Sequence, residues 1–177
     1  MPVIDSKHFR NSLGHFASGI TVLTTRDAER DDWGMTASSF CTLSLQPPLV
    51  LICVAREAGL HDPLLAAPGF AINVLAADQA ALSDRFAGGT RDKDGRWMPW
   101  PDDRDRFADL ATTRATHSEA LLLDDALLSL DCVLHGTADG GDHTIVIGRV
   151  VGIRPGPSDD GRGPLLYHRG RYRLLGD

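Results

Sequence analysis

Four hydroxyl side chains within seven residues are the first feature of this sequence with chemical meaning. They lie in the stretch GMTASSFCTL and are Thr36, Ser38, Ser39 and Thr42. An apolar run at 49–54 follows and predicts a strand in a sheet interior, beside which we expect these hydroxyls to be buried. A hydroxyl buried without a partner costs roughly 1–3 kcal/mol. Small hydroxylated side chains let a flat ligand approach the backbone and supply hydrogen bonds to a phosphate or a ring edge.

Two arginines near these predicted strands can add positive charge to such a site. Arg56 follows the apolar run, and Arg85 lies in the segment SDRFA, which is typical of a helix. Either guanidinium can neutralise a phosphate through charge-assisted hydrogen bonds. The alternative is a sheet with one solvated face, on which Thr36 and Ser38 point to water and both arginines are ordinary surface residues. Periodicity alone leaves the two interpretations open.

Two further groups of polar and aromatic residues accompany predicted strands. Asp142 and His143 follow two glycines at the start of an apolar strand, where a neutral imidazole held by its neighbour can face a ligand. Tyr167, Arg169 and Tyr172 lie close together on a terminal hairpin, and such side chains can stack on planar ligands. A partly exposed structural histidine and a solubilised edge strand explain the same residues without a ligand.

Several common catalytic and cofactor motifs are absent from the sequence. There is no GxGxxG, no GxxxxGK[ST], no GxSxG and no HExxH, which argues against a Rossmann site, a P-loop, a nucleophile elbow and a zinc protease. The seven histidines are scattered, and Cys41, Cys53 and Cys132 form no CxxC pair. We therefore predict no metal site and no disulfide, and interpret the three thiols as buried spectators. A Ser-His-Asp triad assembled in space stays open.

The net charge of −6, with acidic and basic residues mixed along the 177 residues, limits the possible partners. No basic tract or aromatic-and-arginine platform is present, so we predict no nucleic-acid partner. No apolar run approaches the roughly 18 residues that span a bilayer, and the first residues lack a signal-peptide pattern, so we expect no membrane association and a cytoplasmic location. The length fits a single domain, residues 1–177, with a full core.

Local patterns predict mostly strands, with helices at the edges. A first helix is expected to begin at an Asp5 or Ser6 cap and to end at Gly19, because apolar residues recur at spacings of three and four. Strands are expected at 20–25, from Gly34 to the break at QPP, and at 49–55. Short turns join these three strands, which favours an antiparallel meander.

The remaining elements are two short helices, a strand between them, a charged loop and two hairpins. We expect, in chain order, a helix from an Asp62 cap with Pro63 in its first turn, a strand at 70–76, a helix from an Asp78 cap to Gly88, an irregular surface loop at 88–106, a hairpin turning at Gly140 and Gly141, and a hairpin turning at Arg169 and Gly170. Because the helices do not alternate with the strands, a mainly β barrel or sandwich with peripheral helices is favoured over a doubly wound sheet.

Five stretches of the sequence, taken in order, resemble the flavin reductase family, whose members supply reduced flavin to two-component monooxygenases. They are FRNSLGHFASGITVLTT, GMTASSFCTLSLQPPLVLICV, FAINVLAADQAALSDRFA, LLSLDCVLHGTADGGDHTIVIGRV and PLLYHRGRY. The resemblance runs nearly end to end, and the second stretch together with the Gly-Asp-His motif is its most specific part. It implies an FMN-binding split β-barrel that forms a homodimer.

The resemblance also implies which residues bind the flavin and the nicotinamide. Flavin contacts are expected from Thr36, Ala37, Ser38 and Ser39 at the ring and the ribityl phosphate, from Cys53, Val54, Ala55 and Arg56 on the next strand, and from Arg85 and Phe86 at the phosphate end. His143 is expected to receive the nicotinamide, and Tyr167, Arg169 and Tyr172 to complete the pocket.

The activity implied by the resemblance is hydride transfer from NADH or NADPH to FMN or FAD. The protein must stack the two rings and needs no acid or base of its own, so no catalytic side chain is predicted. Reduced flavin then reaches a partner monooxygenase, by contact or by diffusion. Two alternatives stay open: a flavin carrier of the same fold without reductase activity, and a split-barrel oxidase acting on another substrate.

The segment at 88–106 departs from the family pattern, because it is long and charged where relatives often carry a short DRF-type segment. Here a DRF sequence comes only at 105–107. The departure leaves open how this segment covers the site and which flavin is preferred.

Overall fold

Three short helices and fourteen strands are formed by the residues that this computed structural model describes, which are 4–101, 106–157 and 161–176. The helices are α1 (Ser6–Leu13), α2 (His61–Ala66) and α3 (Ala80–Phe86). The strands are β1 (Ser18–Gly19), β2 (Thr21–Arg26), β3 (Asp32–Ala37), β4 (Cys41–Leu45), β5 (Pro48–Ala55), β6 (Gly69–Val74), β7 (Gly89–Arg91), β8 (Trp97–Pro99), β9 (Thr112–Arg114), β10 (Leu121–Leu123), β11 (Leu128–Gly140), β12 (His143–Pro155), β13 (Leu166–His168) and β14 (Arg171–Arg173). The prediction of a mainly β fold with peripheral helices is confirmed.

A seven-stranded antiparallel sheet forms the body of the molecule, in the order β3-β2-β6-β11-β12-β5-β4. Its centre is the long hairpin of β11 and β12, which turns where Gly141 adopts a φ of +77°. A glycine adopts this left-handed conformation without steric cost, which is why the pair of glycines predicted this turn. The terminal hairpin of β13 and β14 likewise turns at Arg169 and Gly170, as predicted.

Two apolar clusters cover the two faces of the sheet near β2. Leu23 belongs to one cluster, with Ile52 and Phe70, whereas its neighbour Val22 belongs to the other, with Phe86. Successive side chains of a strand point to opposite faces, so both faces of β2 are buried. Along β5, by contrast, buried and half-exposed residues alternate, which leaves one face of that strand accessible.

The predicted antiparallel meander is wrong. β3 pairs with β2 at one edge of the sheet, whereas β4 and β5 form the other edge, and four strands lie between β3 and β5. The stretch from Gly34 onward is two strands, because the chain leaves β3 after Ala37 and enters β4 at Cys41. Besides β4, β5 pairs with β12, a strand about ninety residues away in the chain.

Helix ends differ from their predicted positions at several points. The Asp5 cap is confirmed, since its carboxylate accepts a hydrogen bond from the His8 amide at 2.8 Å, but α1 ends at Leu13 and is capped by Gly14 rather than Gly19. The Asp62 cap is wrong, because that carboxylate pairs with the His61 ring.

The last predicted cap and the predicted loop also need correction. Gln79, not Asp78, occupies the N-cap of α3, and its side-chain oxygen accepts a hydrogen bond from the Ala76 amide. The segment at 88–106 is not irregular throughout, since it contains the β7–β8 hairpin. Residues 102–105 lie outside the described residues, and so does the start of the DRF sequence.

Two cysteines are less buried than predicted. Cys132 is buried in the core, and burial raises the pKa of its thiol to about 12, but Cys53 is half-buried and Cys41 is exposed. The described part of the chain contains no helix that is long and apolar enough to cross a membrane.

Candidate functional site

A cavity of about 330 Å³ lies beside the end of β3. Of the residues predicted from the sequence, Thr36, Ser38, Tyr167 and Tyr172 line it. The rest of the lining is Ile20, Ser83, Asp84, Ala87, Arg91 and Trp97. The break between β3 and β4 carries Ser38 to the cavity, and the β13–β14 hairpin brings in the two tyrosines across the molecule.

Two hydroxyl groups of the stretch GMTASSFCTL, those of Thr36 and Ser39, have hydrogen-bond partners within the chain. Thr36 Oγ1 donates to the Ser83 carbonyl oxygen at 2.6 Å. Ser39 Oγ contacts both the amide and the carbonyl group of Cys53, at 3.1 and 3.0 Å. Both hydroxyls therefore hold the backbone in place, and Ser38 is the serine of this stretch that lines the cavity.

A buried carboxylate, Asp84, organises the polar end of the cavity. Its Oδ1 accepts a hydrogen bond from the Tyr172 hydroxyl at 2.7 Å, and its Oδ2 accepts one from Arg91 Nε at 2.9 Å. Burial, together with the negative charge of Asp84, raises the pKa of Tyr172 to about 12, although a hydrogen bond to Ser83 works in the opposite direction. The phenol is therefore a neutral donor at physiological pH.

Aromatic rings form the walls of the same cavity. Tyr167 and Tyr172 meet edge to face, with their ring centroids 5.6 Å apart. The Arg91 guanidinium lies 5.7 Å from the centre of the Trp97 ring. Such rings offer flat apolar surfaces, while Ser38 and the exposed part of the Arg91 side chain offer hydrogen bonds.

A second group of predicted residues lies on the accessible face of β5. Cys53 and Ala55 share that face, and His143 pairs directly with Ala55 across β12. Ser39 bonds to the Cys53 backbone, and its chain neighbour Ser38 lines the cavity, so this contact links β5 to the segment that carries Ser38. Cross-strand partners stand close together on one face, so the sheet brings His143 to the side of the predicted flavin residues.

Arg56 fixes the turn that carries His143. Its Nε donates to the Gly141 carbonyl at 3.0 Å, its Nη2 donates to Asp139 Oδ1 at 2.7 Å, and its backbone amide bonds to the Asp142 carbonyl. The neighbouring Asp142 carboxylate lies 2.7 Å from His143 Nδ1, a hydrogen bond that lowers the pKa of Asp142. This contact orients the imidazole so that its Nε2 edge points away from Asp142.

Two predicted arginines do not join the cavity. The Arg85 guanidinium lies over the Trp100 ring, 4.5 Å from its centre, and donates to the Ala108 carbonyl at 2.7 Å. The Arg169 guanidinium contacts the His15 ring, and its amide bonds to the Gly14 carbonyl. Arg169 thereby ties the terminal hairpin to the segment after α1.

Three other predicted residues are buried. The side chains of Ala37 and Val54 belong to the first apolar cluster, and Phe86 belongs to the second, where it packs edge to face on Phe107 with centroids 5.0 Å apart. Ala37 and Val54 can therefore offer a ligand only their backbone groups. Phe86 lines a separate cavity with Trp33.

Six residues of the cavity were not predicted from the sequence, and three of them carry a charge or a large aromatic ring: Asp84, Arg91 and Trp97. Asp84 precedes Arg85 in the segment SDRFA, for which only Arg85 and Phe86 were predicted to contact the flavin. Trp97 is one of two tryptophans in a charged segment. A tryptophan in a charged segment can indicate a ligand-binding surface. The sequence around it does not predict the hairpin in which Trp97 pairs with Arg91.

A flat, phosphorylated ring system fits this arrangement. Cavities for small molecules commonly have volumes of about 300–1,000 Å³ and combine aromatic walls with a few polar groups. Here the aromatic walls, Ser38 and a half-exposed guanidinium meet these requirements. The flavin implied by the sequence resemblance has the matching chemistry: a planar tricyclic ring, a hydroxylated chain and phosphate.

Comparison with known proteins identifies the family of this chain. A family model described as the flavin reductase like domain matches residues 13–176. The chain is 37% identical over 169 residues to an NADH-dependent FAD reductase of Streptomyces globisporus, covering 96% of this chain and 85% of the relative. It is 35% identical to the reductase component of a 4-nitrophenol 4-monooxygenase/4-nitrocatechol 2-monooxygenase of Rhodococcus opacus, covering 96% and 80%.

A solved structure shows the same similarity in three dimensions. It is the NADH:FAD oxidoreductase SgcE6 of Streptomyces globisporus C-1027 in complex with NAD and FAD fragments. The two chains superpose with a TM-score of 0.81 at 35% sequence identity, over 99% of this chain and 98% of that one.

Proposed function

Because the chain belongs to the flavin reductase family and has its mainly β, split-barrel type of fold, we propose that it reduces FMN or FAD with NADH or NADPH. Relatives bear the names of NADH-dependent FAD reductase and of monooxygenase reductase component. The product, reduced flavin, would serve a partner monooxygenase, reached by contact or by diffusion.

One observation carries this proposal: the series of contacts and strand pairings that links the cavity to His143. Ser38 lines the cavity, Ser39 bonds to Cys53, and His143 stands opposite Ala55 two residues farther along the same face of β5. These contacts support a site in which the groups proposed to hold the flavin and the histidine proposed to receive the nicotinamide are neighbours. That is the arrangement needed for two rings to meet face to face.

Bound flavin supplies the hydride acceptor, and the side chains have to bind and orient the two rings. Ser38 and the aromatic walls hold the planar ligand, while His143, oriented by Asp142, offers a hydrogen bond to the nicotinamide amide. No side chain needs to carry a proton in the hydride step, so the protein contributes through ring distance and orientation. Well-oriented reactants gain an effective concentration that free solutes lack.

The experiment that tests the proposal follows the absorbance of reduced nicotinamide with purified protein. NADH and NADPH are each combined with FMN and FAD, with a flavin-free reaction as the blank. We expect rapid, flavin-dependent oxidation in at least one combination, which would also identify the preferred pair. Protein that binds flavin but oxidises neither nicotinamide in any combination would overturn the reductase and favour a flavin carrier or an oxidase of the same fold.

We further propose that residues 1–177 form a single domain and that two copies form a homodimer. Support comes from apolar surface that the described residues leave uncovered: no residue of α1 is buried, and Phe16 and Leu45 are 80% and 91% exposed. A stable interface buries about 1,600 Å² in total and favours such apolar patches.

Sedimentation velocity tests the homodimer. We expect the wild type to sediment as a dimer, and the double variant Phe16→Ser/Leu45→Ser to shift toward monomer. Leu175→Ser, which removes an exposed apolar residue elsewhere, is the matched control. A monomeric wild type at micromolar concentration would overturn the dimer.

A cytoplasmic location remains part of the proposal. The three cysteines are free, and Cys41 is exposed, a condition that a reducing compartment maintains. Fractionation of cells that express the untagged chain is expected to place it with cytoplasmic markers, and recovery with the membrane or secreted fraction would contradict this.

A further inference from the structure

The β7–β8 hairpin places two side chains at the cavity. Arg91 and Trp97 are direct partners in this hairpin, and both line the cavity together with Ser38. The Trp97 ring lies so close to Gly89 that any side chain at Gly89 would overlap it. The glycine therefore allows the ring to approach the hairpin backbone closely.

The Arg91 guanidinium is held along one edge and accessible elsewhere. Its Nε donates to buried Asp84, and its Nη1 lies 3.4 Å from the Gly95 carbonyl oxygen. Within 4–101, 106–157 and 161–176 no group accepts a hydrogen bond from Nη2, and the side chain is 51% exposed. Asp84 is itself fixed by the Tyr172 hydroxyl. The donors that remain are thus oriented before any ligand arrives.

Other arginines suggested for a phosphate are engaged elsewhere. Arg85 lies over Trp100 and bonds to Ala108, and Arg56 bonds to Asp139 and to the β11–β12 turn. Among the described residues that line the cavity, Arg91 alone carries a positive charge. A phosphate bound in this cavity would therefore contact Arg91 of the β7–β8 hairpin and not Arg85 of α3.

We propose that Arg91 binds a phosphate group of the nucleotide held in this cavity, with Asp84 as its positioning residue. The proposal rests on the proposed function, which supplies two phosphorylated ligands, flavin nucleotide and nicotinamide dinucleotide. Guanidinium groups pair with phosphate through parallel, charge-assisted hydrogen bonds. Because Asp84 occupies the Nε edge, phosphate binds through the Nη groups. Arg91 lies in the segment at 88–106, whose length and charge depart from the family pattern.

The test compares ligands that differ in phosphate. Affinities of FMN, FAD and riboflavin are measured by flavin fluorescence, without nicotinamide, for wild type, Arg91→Gln, Arg91→Lys and the control Arg96→Gln. Arg96 is exposed on the same hairpin and does not line the cavity. We expect Arg91→Gln to weaken FMN and FAD about tenfold, in the range of a charged hydrogen bond. Riboflavin binding should stay within about twofold, Arg91→Lys should recover part of the loss, and the control should match wild type.

A nicotinamide arm distinguishes the two phosphate sources. KM for NADH is measured with riboflavin as acceptor, so that the flavin carries no phosphate. An increase in that KM in Arg91→Gln, with FMN affinity unchanged, assigns Arg91 to the dinucleotide. Equal weakening of riboflavin and FMN, or no change for any ligand, overturns the proposal. Wild type that binds flavin but never oxidises NADH would overturn the reductase and leave the affinity comparison valid.

Discussion

The Ser39 hydroxyl bonds to both backbone groups of Cys53: it accepts from the amide at 3.1 Å and donates to the carbonyl at 3.0 Å. One side chain thereby ties the break between β3 and β4 to the far edge of the sheet. The neighbouring Ser38 lines the cavity. The two adjacent serines thus differ in role: Ser39 bonds to the protein backbone, whereas Ser38 is available to a ligand in the cavity.

Single alanine variants should separate these two roles. Ser38→Ala is expected to weaken flavin binding severalfold, because a hydrogen bond contributes about 0.5–1.5 kcal/mol, and to leave the unfolding midpoint nearly unchanged. Ser39→Ala is expected to lower the free energy of unfolding by about 1–2 kcal/mol, since two backbone contacts are lost. Flavin fluorescence titration and urea denaturation measure the two effects. Unchanged flavin affinity in Ser38→Ala would contradict a role for Ser38 in the site.

His143→Ala tests the nicotinamide half of the site. If His143 receives the nicotinamide as proposed, KM for the nicotinamide should rise about tenfold or more. Flavin affinity should stay within about twofold, because His143 does not line the cavity proposed for the flavin. His135→Ala, an exposed histidine on β11, is the matched control and should behave as wild type. Loss of flavin binding in His143→Ala would contradict the assignment.

Tyr172→Phe should change how stability depends on alkaline pH. The folded pKa of Tyr172 is raised to about 12 from 10, because the phenol is partly buried beside Asp84. The unfolded chain therefore releases this proton first, and the stabilising contribution is complete below about pH 10 and declines as pH rises toward 12. We expect the stability gap between wild type and Tyr172→Phe to narrow across that window.

Thermal melts from pH 7 to 11 measure this gap. Tyr167→Phe, the variant at the only other tyrosine of the sequence, retains Tyr172 and should keep the wild-type alkaline decline. A gap that is constant from pH 7 to 11 would show that the Tyr172 hydroxyl is not coupled to folding in this way.

Gly69→Ala is expected to destabilise the fold by about 1–3 kcal/mol, the usual cost of overpacking. A methyl group at Gly69 would overlap the backbone carbonyl oxygen of Cys132 on the neighbouring strand β11, and a ladder strand cannot move aside. Gly136→Ala, also on β11, meets no atom within 4 Å and serves as the control. Urea denaturation that shows equal stability for the two variants would refute the close approach of β6 and β11.

Local chemistry accounts for the features that the sequence predicted well. The Asp5 cap depends on a side chain and an amide three residues apart, and the turns at Gly141 and Gly170 depend on backbone freedom at single residues. The strands follow from short apolar and β-branched runs. None of these features needs a distant partner, so neighbouring residues contain enough information.

Strand order could not be obtained from such runs. The apolar run of β5 predicts a strand inside a sheet but does not identify the neighbouring strand. That neighbour is β12, which belongs to the long β11–β12 hairpin much later in the chain. Pairing β5 with β12 is what places His143 opposite Ala55. Hence the residue types of the site were readable in the sequence, whereas their common surface depends on non-local pairing.

The sequence also did not identify which arginine lines the cavity. Sequence position made Arg85 and Arg56 equal candidates for a phosphate, yet Arg85 packs on Trp100 and Arg56 holds a turn. Arg91 reaches the cavity because buried Asp84 fixes its Nε edge. By itself the sequence determined the family, the mainly β class of fold and some of the chemical groups of the site, among them Thr36, Ser38, Tyr167 and Tyr172. Only the tertiary structure decided which groups face the cavity, because side-chain direction depends on packing against residues far away in the chain.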